Sequence, residues 1–403
     1  MLPLMLPLPS PPPHRPIAPR PLPLHLMLAA SSYLSLPVGL ALWREGLLPL
    51  NTPYTPHQNL VPDAVQFSVT QFNYFLQGIA KYQNAPRQQP LVAAPCLLQI
   101  GGTKLLDYGV FSDAPHPQPL LIIPSLVNRA NILDLSEERS FLRYLAAQGF
   151  RPLLIDWGEL QASEQAFTLT DYITKRLEPL LQHAATLTQN ALPVIGYCMG
   201  GLLALAAAQR APQSISKLVL LATPWDFTHA IRPDQRTSIP LLQPFLRMLR
   251  QKNLPFPVDM LQTLFTSIDL FAVPERYISF AKEADVTRNA QFVIVEDWLN
   301  DGVALSAAVA EECLLGWYQH NTPHNNAWQV EDDFIAPQNI SLPTLIVTPK
   351  HDKIVPPAAA LGLRNTLPYA AVIQPNTGHI GMVAGRKSTL EMWKPVCSFL
   401  QET

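Results

Sequence analysis

The chain has 403 residues, 48% of them hydrophobic and 14% charged, with a formal net charge of −2. That is enough apolar material for one large domain with insertions or for two domains. No block of Lys/Arg supplies an electrostatic footprint for nucleic acid, and the sparse charge leaves room for an oily surface facing a partner or an apolar substrate.

The first 23 residues contain ten prolines. Proline lacks an amide donor and fixes φ, so residues 1–23 are expected to be a disordered, polyproline-like tail. Leu24 to Trp43 then carries no formal charge. Its length suits a bilayer, but three serines, His25 and Pro37 interrupt it. One or two short helices docked on the protein are expected there, with peripheral contact to a membrane or granule as the alternative. Residues 24–96 are read as an N-terminal helical and extended segment.

From about residue 97 a regular alternation begins. "LLQIGGTKLLDYGVF" predicts a hairpin. "PLLIIP" (119–124) predicts a buried strand, and 136–150 a helix with Ser136 as N-cap. "RPLLIDW" (151–157) is a strand, and 168–187 a helix bent by its internal proline. "PVIGYC" is a strand, "MGGLLALAAAQRA" a helix and "KLVLLATP" (217–224) a strand. After a long interruption come strands at 343–349 and 370–375, with helices after each. Fully apolar strands alternating with amphipathic helices argue an α/β fold, a doubly wound and mostly parallel sheet covered on both faces. Residues 97–227 and 337–403 form that core. Residues 228–336, rich in Leu, Phe and Pro, are read as an inserted helical cap over the site, against the alternative of a second domain.

Function in such sheets collects at the carboxyl ends of strands. There stands Gly196-Tyr197-Cys198-Met199-Gly200, which fits the G-x-nucleophile-x-G elbow between strand and helix. Glycines allow the tight turn, and the turn sets the Cys198 sulfur at a helix N-terminus, where negative charge is favoured. The Met199 amide becomes half of an oxyanion hole. The other half is expected from the loop after the third strand, at the amide of Leu126 or Val127. The motif alone also describes a structural cysteine on a close-packed turn. Chain order decides for catalysis, because this α/β-hydrolase fold places its acid after a later strand and its histidine after the last. Asp352 in "HDKIVPP" and His379 in "NTGHIGM" fill those slots.

Asp156 reads as structural, Asp226 as an alternative acid, and His351 as a weaker base than His379. Arg129 is open between a substrate phosphate contact and a structural ion pair. His320 and His324 have chelating spacing but flank Pro323 with no nearby carboxylate, so no metal is expected. Cys96, Cys198, Cys313 and Cys397 form no CxxC pair and read as reduced thiols of a cytoplasmic protein.

Together "SLVNRANILDL", "LLIDWGE", "LTDYI", "GYCMGG", "TPWDF", "EDWLNDG", "HDKIVPP" and "GHIGM" resemble the polyhydroxyalkanoate synthases, nearest to the short form that works with a second subunit (class III). The resemblance covers roughly residues 97–402. It implies polymerisation of (R)-3-hydroxyacyl-CoA with release of CoA, the growing chain held on Cys198 as a thioester. It implies that His379 activates the thiol and that Asp352 assists the next hydroxyl. The CoA thioester is substrate, and no cofactor is implied. The implied partners are the polymer granule and a synthase subunit or a second copy of the chain. Two features depart from the family pattern: Lys353 stands where histidine commonly follows the aspartate, and the proline-rich head with its apolar 24–43 segment is extra. The rival expectation is a hydrolase on the same scaffold, cleaving esters, lactones or thioesters.

Overall fold

The computed structural model describes residues 18–45, 59–188 and 191–402. Most of the proline-rich tail expected at 1–23 lies outside the described residues. The chain divides into two compact units, one of residues up to Ala85 together with Phe271–Asn289, the other of Pro86–Leu270 and Ala290–Thr403.

In the first unit, α1 (Leu22–Arg44) is a single helix and not the one or two short helices expected. Pro23 sits in the first turn, where its missing N–H is no loss. Pro37 removes one interior hydrogen bond, yet the helix runs through it to Arg44. The second helix, α2 (Leu60–Asn84), buries Ala64, Ser68, Phe75, Gly78, Ile79 and Tyr82, a stripe at helical spacing. Phe75 and Tyr82 meet Tyr277 edge-on, with ring centroids 6.2 and 5.8 Å away. Lys81 Nζ donates to the carbonyls of Phe280 and Glu283, both at 2.7 Å, satisfying the end of the segment that carries Tyr277.

The second unit is built on strands β1 (Cys96–Ile100), β2 (Thr103–Asp107) and β3 (Gln118–Ile123), helix α3 (Phe141–Ala147) and strand β4 (Phe150–Asp156). Next come α4 (Leu169–Tyr172), α5 (Glu178–Thr186), β5 (Leu192–Tyr197), α6 (Met199–Arg210) and β6 (Ile215–Leu221). Helices α7 (Pro233–Ser238), α8 (Gln243–Gln251), α9 (Val258–Thr266), α10 (Ala272–Lys282), α11 (Val286–Asn300) and α12 (Ala307–Glu311) follow, α10 lying in the first unit. The two-residue strands β7 (Gln329–Val330) and β8 (Asp333–Phe334) pair with each other. The chain then returns through β9 (Thr344–Val347), α13 (Pro357–Leu361), β10 (Ala370–Ile373), α14 (His379–Ala384) and α15 (Lys394–Gln401).

The main sheet has eight strands in the order β1-β2-β4-β3-β5-β6-β9-β10. The β1–β2 and β2–β4 pairs are antiparallel and the others parallel. This is the doubly wound, mostly parallel sheet that the apolar strand runs predict. Leu121, Ile123 and Val194 pack into one face with α6, while Leu120, Ile122, Ile195 and Tyr197 pack into the other with α3 and α15. The period of two along each strand sends alternate residues to opposite cores. Each such Leu or Ile contributes about 1.5–3 kcal/mol by burial.

Two local expectations are corrected. The cap of α3 is Ser140, whose Oγ accepts from Arg143 N at 2.9 Å, and not Ser136. Ser136 instead opens a separate 3₁₀ turn over Glu137–Arg139. The helix over 168–187 meets its proline through a π turn at Ile173–Leu177, just before Pro179, which widens the backbone where the amide is missing.

Candidate active site

A single residue, Cys198, separates β5 from α6. It has φ 55° and ψ −124°, a strained conformation for a residue with a side chain. Neighbouring hydrogen bonds hold it there: Cys198 N donates to Leu221 O at 2.8 Å, and Cys198 O accepts from Gly201 N at 2.9 Å. The flanking residues must be glycine. A Cβ on Gly196 would approach the Gly200 oxygen to 2.8 Å, and one on Gly200 would collide with the carbonyl oxygens of Ile123 and Pro124. Strand, turn and helix thus fix the sulfur half-buried at the start of α6, packed against both cores.

Asp352 lies in the loop after β9, and His379 opens α14 at the end of the loop after β10. These parallel neighbours end side by side, and their loops stay joined beyond the sheet. Lys350 N donates to Pro375 O at 2.9 Å, and His351 N to Thr377 O at 3.0 Å. Asp352 Oδ1 accepts from the amides of Ile354 and Val355 at 2.9 and 2.8 Å. Its Oδ2 faces His379 Nδ1 at 2.7 Å. Both side chains are buried. Nδ1 therefore carries the proton it donates to the carboxylate, and Nε2 is left for the sulfur, which lies within electrostatic reach of the ring. Burial pushes the imidazolium down, but the charges of Asp352 and Cys198 and the bond to Asp352 outweigh it. The result is raised from 6.5 to about 10.

The Met199 amide is the first of α6, so it has no acceptor within the helix. The two amides expected opposite it separate. Val127 N donates to Ser125 Oγ at 3.2 Å, an ST turn that engages it. Leu126, buried in the same turn, is left as the second donor of choice. The Val127 amide is thus turned to the serine two residues before it.

The remaining charged candidates hold structural contacts. Asp156 accepts from Gly158 N at 3.1 Å in a turn. Asp226 accepts from Asn321 Nδ2 at 2.9 Å and from the Thr228 amide at 3.0 Å. Its Oδ2 lies 3.9 Å from His324, while His320 is exposed. Arg129 pairs with Glu159 and, at 2.6 Å, with Asp301, which makes it a structural ion pair. His351 Nε2 turns to Asn376 Oδ1 at 2.8 Å, at an exposed position. Lys353 points away from the site to Asp269 at 2.7 Å, with its side chain 75% exposed. Exposed pairs contribute about 0–1 kcal/mol. Lys353→Ala is accordingly expected to shift the urea midpoint only slightly and to leave catalysis intact, which chemical denaturation and a turnover assay together check.

Sequence reasoning passed over two tyrosines. Tyr197 stacks on His379, ring centroids 5.3 Å apart, and its buried hydroxyl has no partner among the described residues. Burial, then the charges of Cys198 and Asp352, hold its phenol protonated. Tyr318 lies within electrostatic reach of both Cys198 and Cys313 and meets Phe227 edge-on at 4.9 Å. Tyr197 was signalled by its place beside the nucleophile. Tyr318, in the helical stretch before β7, carried no signal that set it apart from the aromatics around it.

Residues 118–385 match the family model of the alpha/beta hydrolase fold. The chain is also similar to subunits named poly(3-hydroxyalkanoate) polymerase subunit PhaC. It is 26% identical to that of Haloferax mediterranei over 74% of this chain and 62% of the relative. It is 28% identical to that of Haloarcula marismortui over 70% of this chain and 61% of the relative. It is 26% identical to that of Allochromatium vinosum over 71% of this chain and 81% of the relative. The chain thus spans less than two thirds of the length of the two haloarchaeal relatives. An elbow at the end of β5, an eight-stranded sheet of this order and the family model lead to one family: the chain belongs to the alpha/beta hydrolase fold, and within it is similar to poly(3-hydroxyalkanoate) polymerase subunits.

Proposed function

We propose that this chain is an acyltransferase that polymerises (R)-3-hydroxyacyl groups from their CoA thioesters, carrying the growing chain on Cys198. The observation behind this reading is the buried Asp352–His379 pair, hydrogen-bonded at 2.7 Å and within electrostatic reach of the Cys198 sulfur on its elbow. The similarity to polymerase subunits supplies the substrate class.

With its proton affinity raised, His379 Nε2 already holds the proton shed by Cys198, and the thiolate attacks the thioester carbonyl. The amides of Met199 and Leu126 receive the oxyanion. The tetrahedral species collapses, the C–S bond to CoA breaks, and His379 returns its proton to the departing CoA sulfur. An acyl group now sits on Cys198, at little cost because one thioester has replaced another. The 3-hydroxyl of a second unit then gives its proton to His379 Nε2 and attacks the Cys198 thioester. An ester bond forms, the C–S bond to Cys198 breaks and the sulfur recovers the proton; the lengthened chain, now a CoA thioester, is taken back onto Cys198 by a repeat of the first step, which releases CoA. Both Asp352 oxygens are already engaged, so its help to the hydroxyl passes through His379. Water competes at this second step, and the packing of Cys198 between two apolar cores disfavours it. The four free cysteines suit a reducing, cytoplasmic setting, which we propose as the place of reaction.

The test is incubation of the purified chain with 3-hydroxybutyryl-CoA, following free thiol and sedimentable polyester. CoA release with polymer is expected. Free 3-hydroxybutyrate without polymer would overturn the reading in favour of a hydrolase.

A further inference from the structure

The catalytic reading makes no use of α1 (Leu22–Arg44). Its 23 residues span about 34 Å, against a hydrocarbon thickness of about 30 Å. No Asp, Glu, Lys or Arg occurs from Leu22 to Trp43, and charge resumes at both ends, with Arg20 before and Arg44-Glu45 after. Its most apolar 18-residue window is only 6% buried. Met27, Leu34 and Val38 are each close to 60% exposed, and Leu36 lies exposed on the opposite side of the helix. α1 packs along α2 on the side of His25 and Ala29, but the apolar surface carrying Met27, Leu34, Leu36 and Val38 stays uncovered, which is unfavourable in water. A helix that lies flat on a membrane needs one polar face, which α1 lacks.

Two of the serines inside the segment are bonded within the helix itself. Ser32 Oγ donates to Leu28 O at 2.6 Å, and Ser35 Oγ to Ser32 O at 3.3 Å, so both hydroxyls are satisfied within the helix. His25 Nε2 meets Arg20 O at 3.2 Å near one end. At the other, Trp43 beside Arg44 has the pairing found at a membrane–water boundary. We infer that α1 crosses a lipid bilayer and anchors the chain there. This inference is independent of the role of Cys198.

The test uses the full chain reconstituted from mild detergent into vesicles of phosphatidylcholine and phosphatidylglycerol, then floated on a density gradient. The chain is expected to float, to resist carbonate extraction, and to keep its intact mass in the floated fraction. Leu34→Asp and Val38→Asp should each lower the ratio of bound to free chain by about 100-fold, with an unchanged thermal midpoint for the remainder of the molecule. Trp43→Phe serves as a second probe that does not depend on insertion failing. It should float normally yet lose part of the tryptophan quenching caused by brominated lipids. Failure of the chain to float, removal by carbonate, equal flotation of both Asp variants, capture by polyester particles but not vesicles, or a floated species lacking α1 would each overturn the inference. Flotation is read without any turnover, so its failure is distinct from failure of the polymerase reading.

Discussion

Cys198→Ala is expected to abolish CoA release, lowering the rate by about 10⁴-fold or more, because no other side chain can accept the acyl group at the elbow. The sulfur is held at the start of α6 by a backbone that the substitution does not alter. Alanine fits the same positive φ at similar cost, so the thermal midpoint should stay close to that of the parent. Intact-mass spectrometry after brief exposure to 3-hydroxybutyryl-CoA provides the second readout. The parent chain should gain the mass of one or more hydroxyacyl units and the variant none. A variant that still releases CoA and still gains mass would remove Cys198 from the mechanism.

Asp352→Asn is expected to lower turnover by about 10⁴-fold through the orientation and tautomer of His379. The amide preserves the shape and can still accept from Ile354 and Val355, but it no longer offers a carboxylate to Nδ1. The same change has a signature in stability. His379 is raised from 6.5 to about 10 in the folded chain, with Asp352 the largest raising influence. A raised group stabilises the fold fully below its unfolded value and loses that contribution as pH rises through its folded value. The gap in thermal stability between the parent and Asp352→Asn should therefore narrow between pH 6.5 and about 10. Thermal denaturation across that range checks it, and a gap that widened with pH would contradict the assigned pair.

The central sheet was legible because its strands are apolar on both faces, so that "PLLIIP" or "TLIV" has few other places to go. The elbow and the order of Cys198, Asp352 and His379 were legible for a related reason: each follows a strong strand, and the fold fixes what comes next. Legibility ended where several local solutions compete. Ser136 and Ser140 are both sound caps, and only the 3₁₀ turn between them decides for Ser140. Val127 and Leu126 are equivalent as sequence, and a hydroxyl two residues upstream separates them. Pro37 predicts a break, yet α1 continues through it. Tyr318 comes near Cys198 from over a hundred residues away, which no local pattern records.

The tight turn around Cys198 has a consequence beyond this reaction. Its glycines and backbone bonds specify where an atom must stand, and nothing in them depends on whether that atom is sulfur or oxygen. Position and chemical identity are therefore separable in this scaffold. A lineage can exchange one chemistry of acyl transfer for another at a single codon, with the folding problem already solved on both sides of the change.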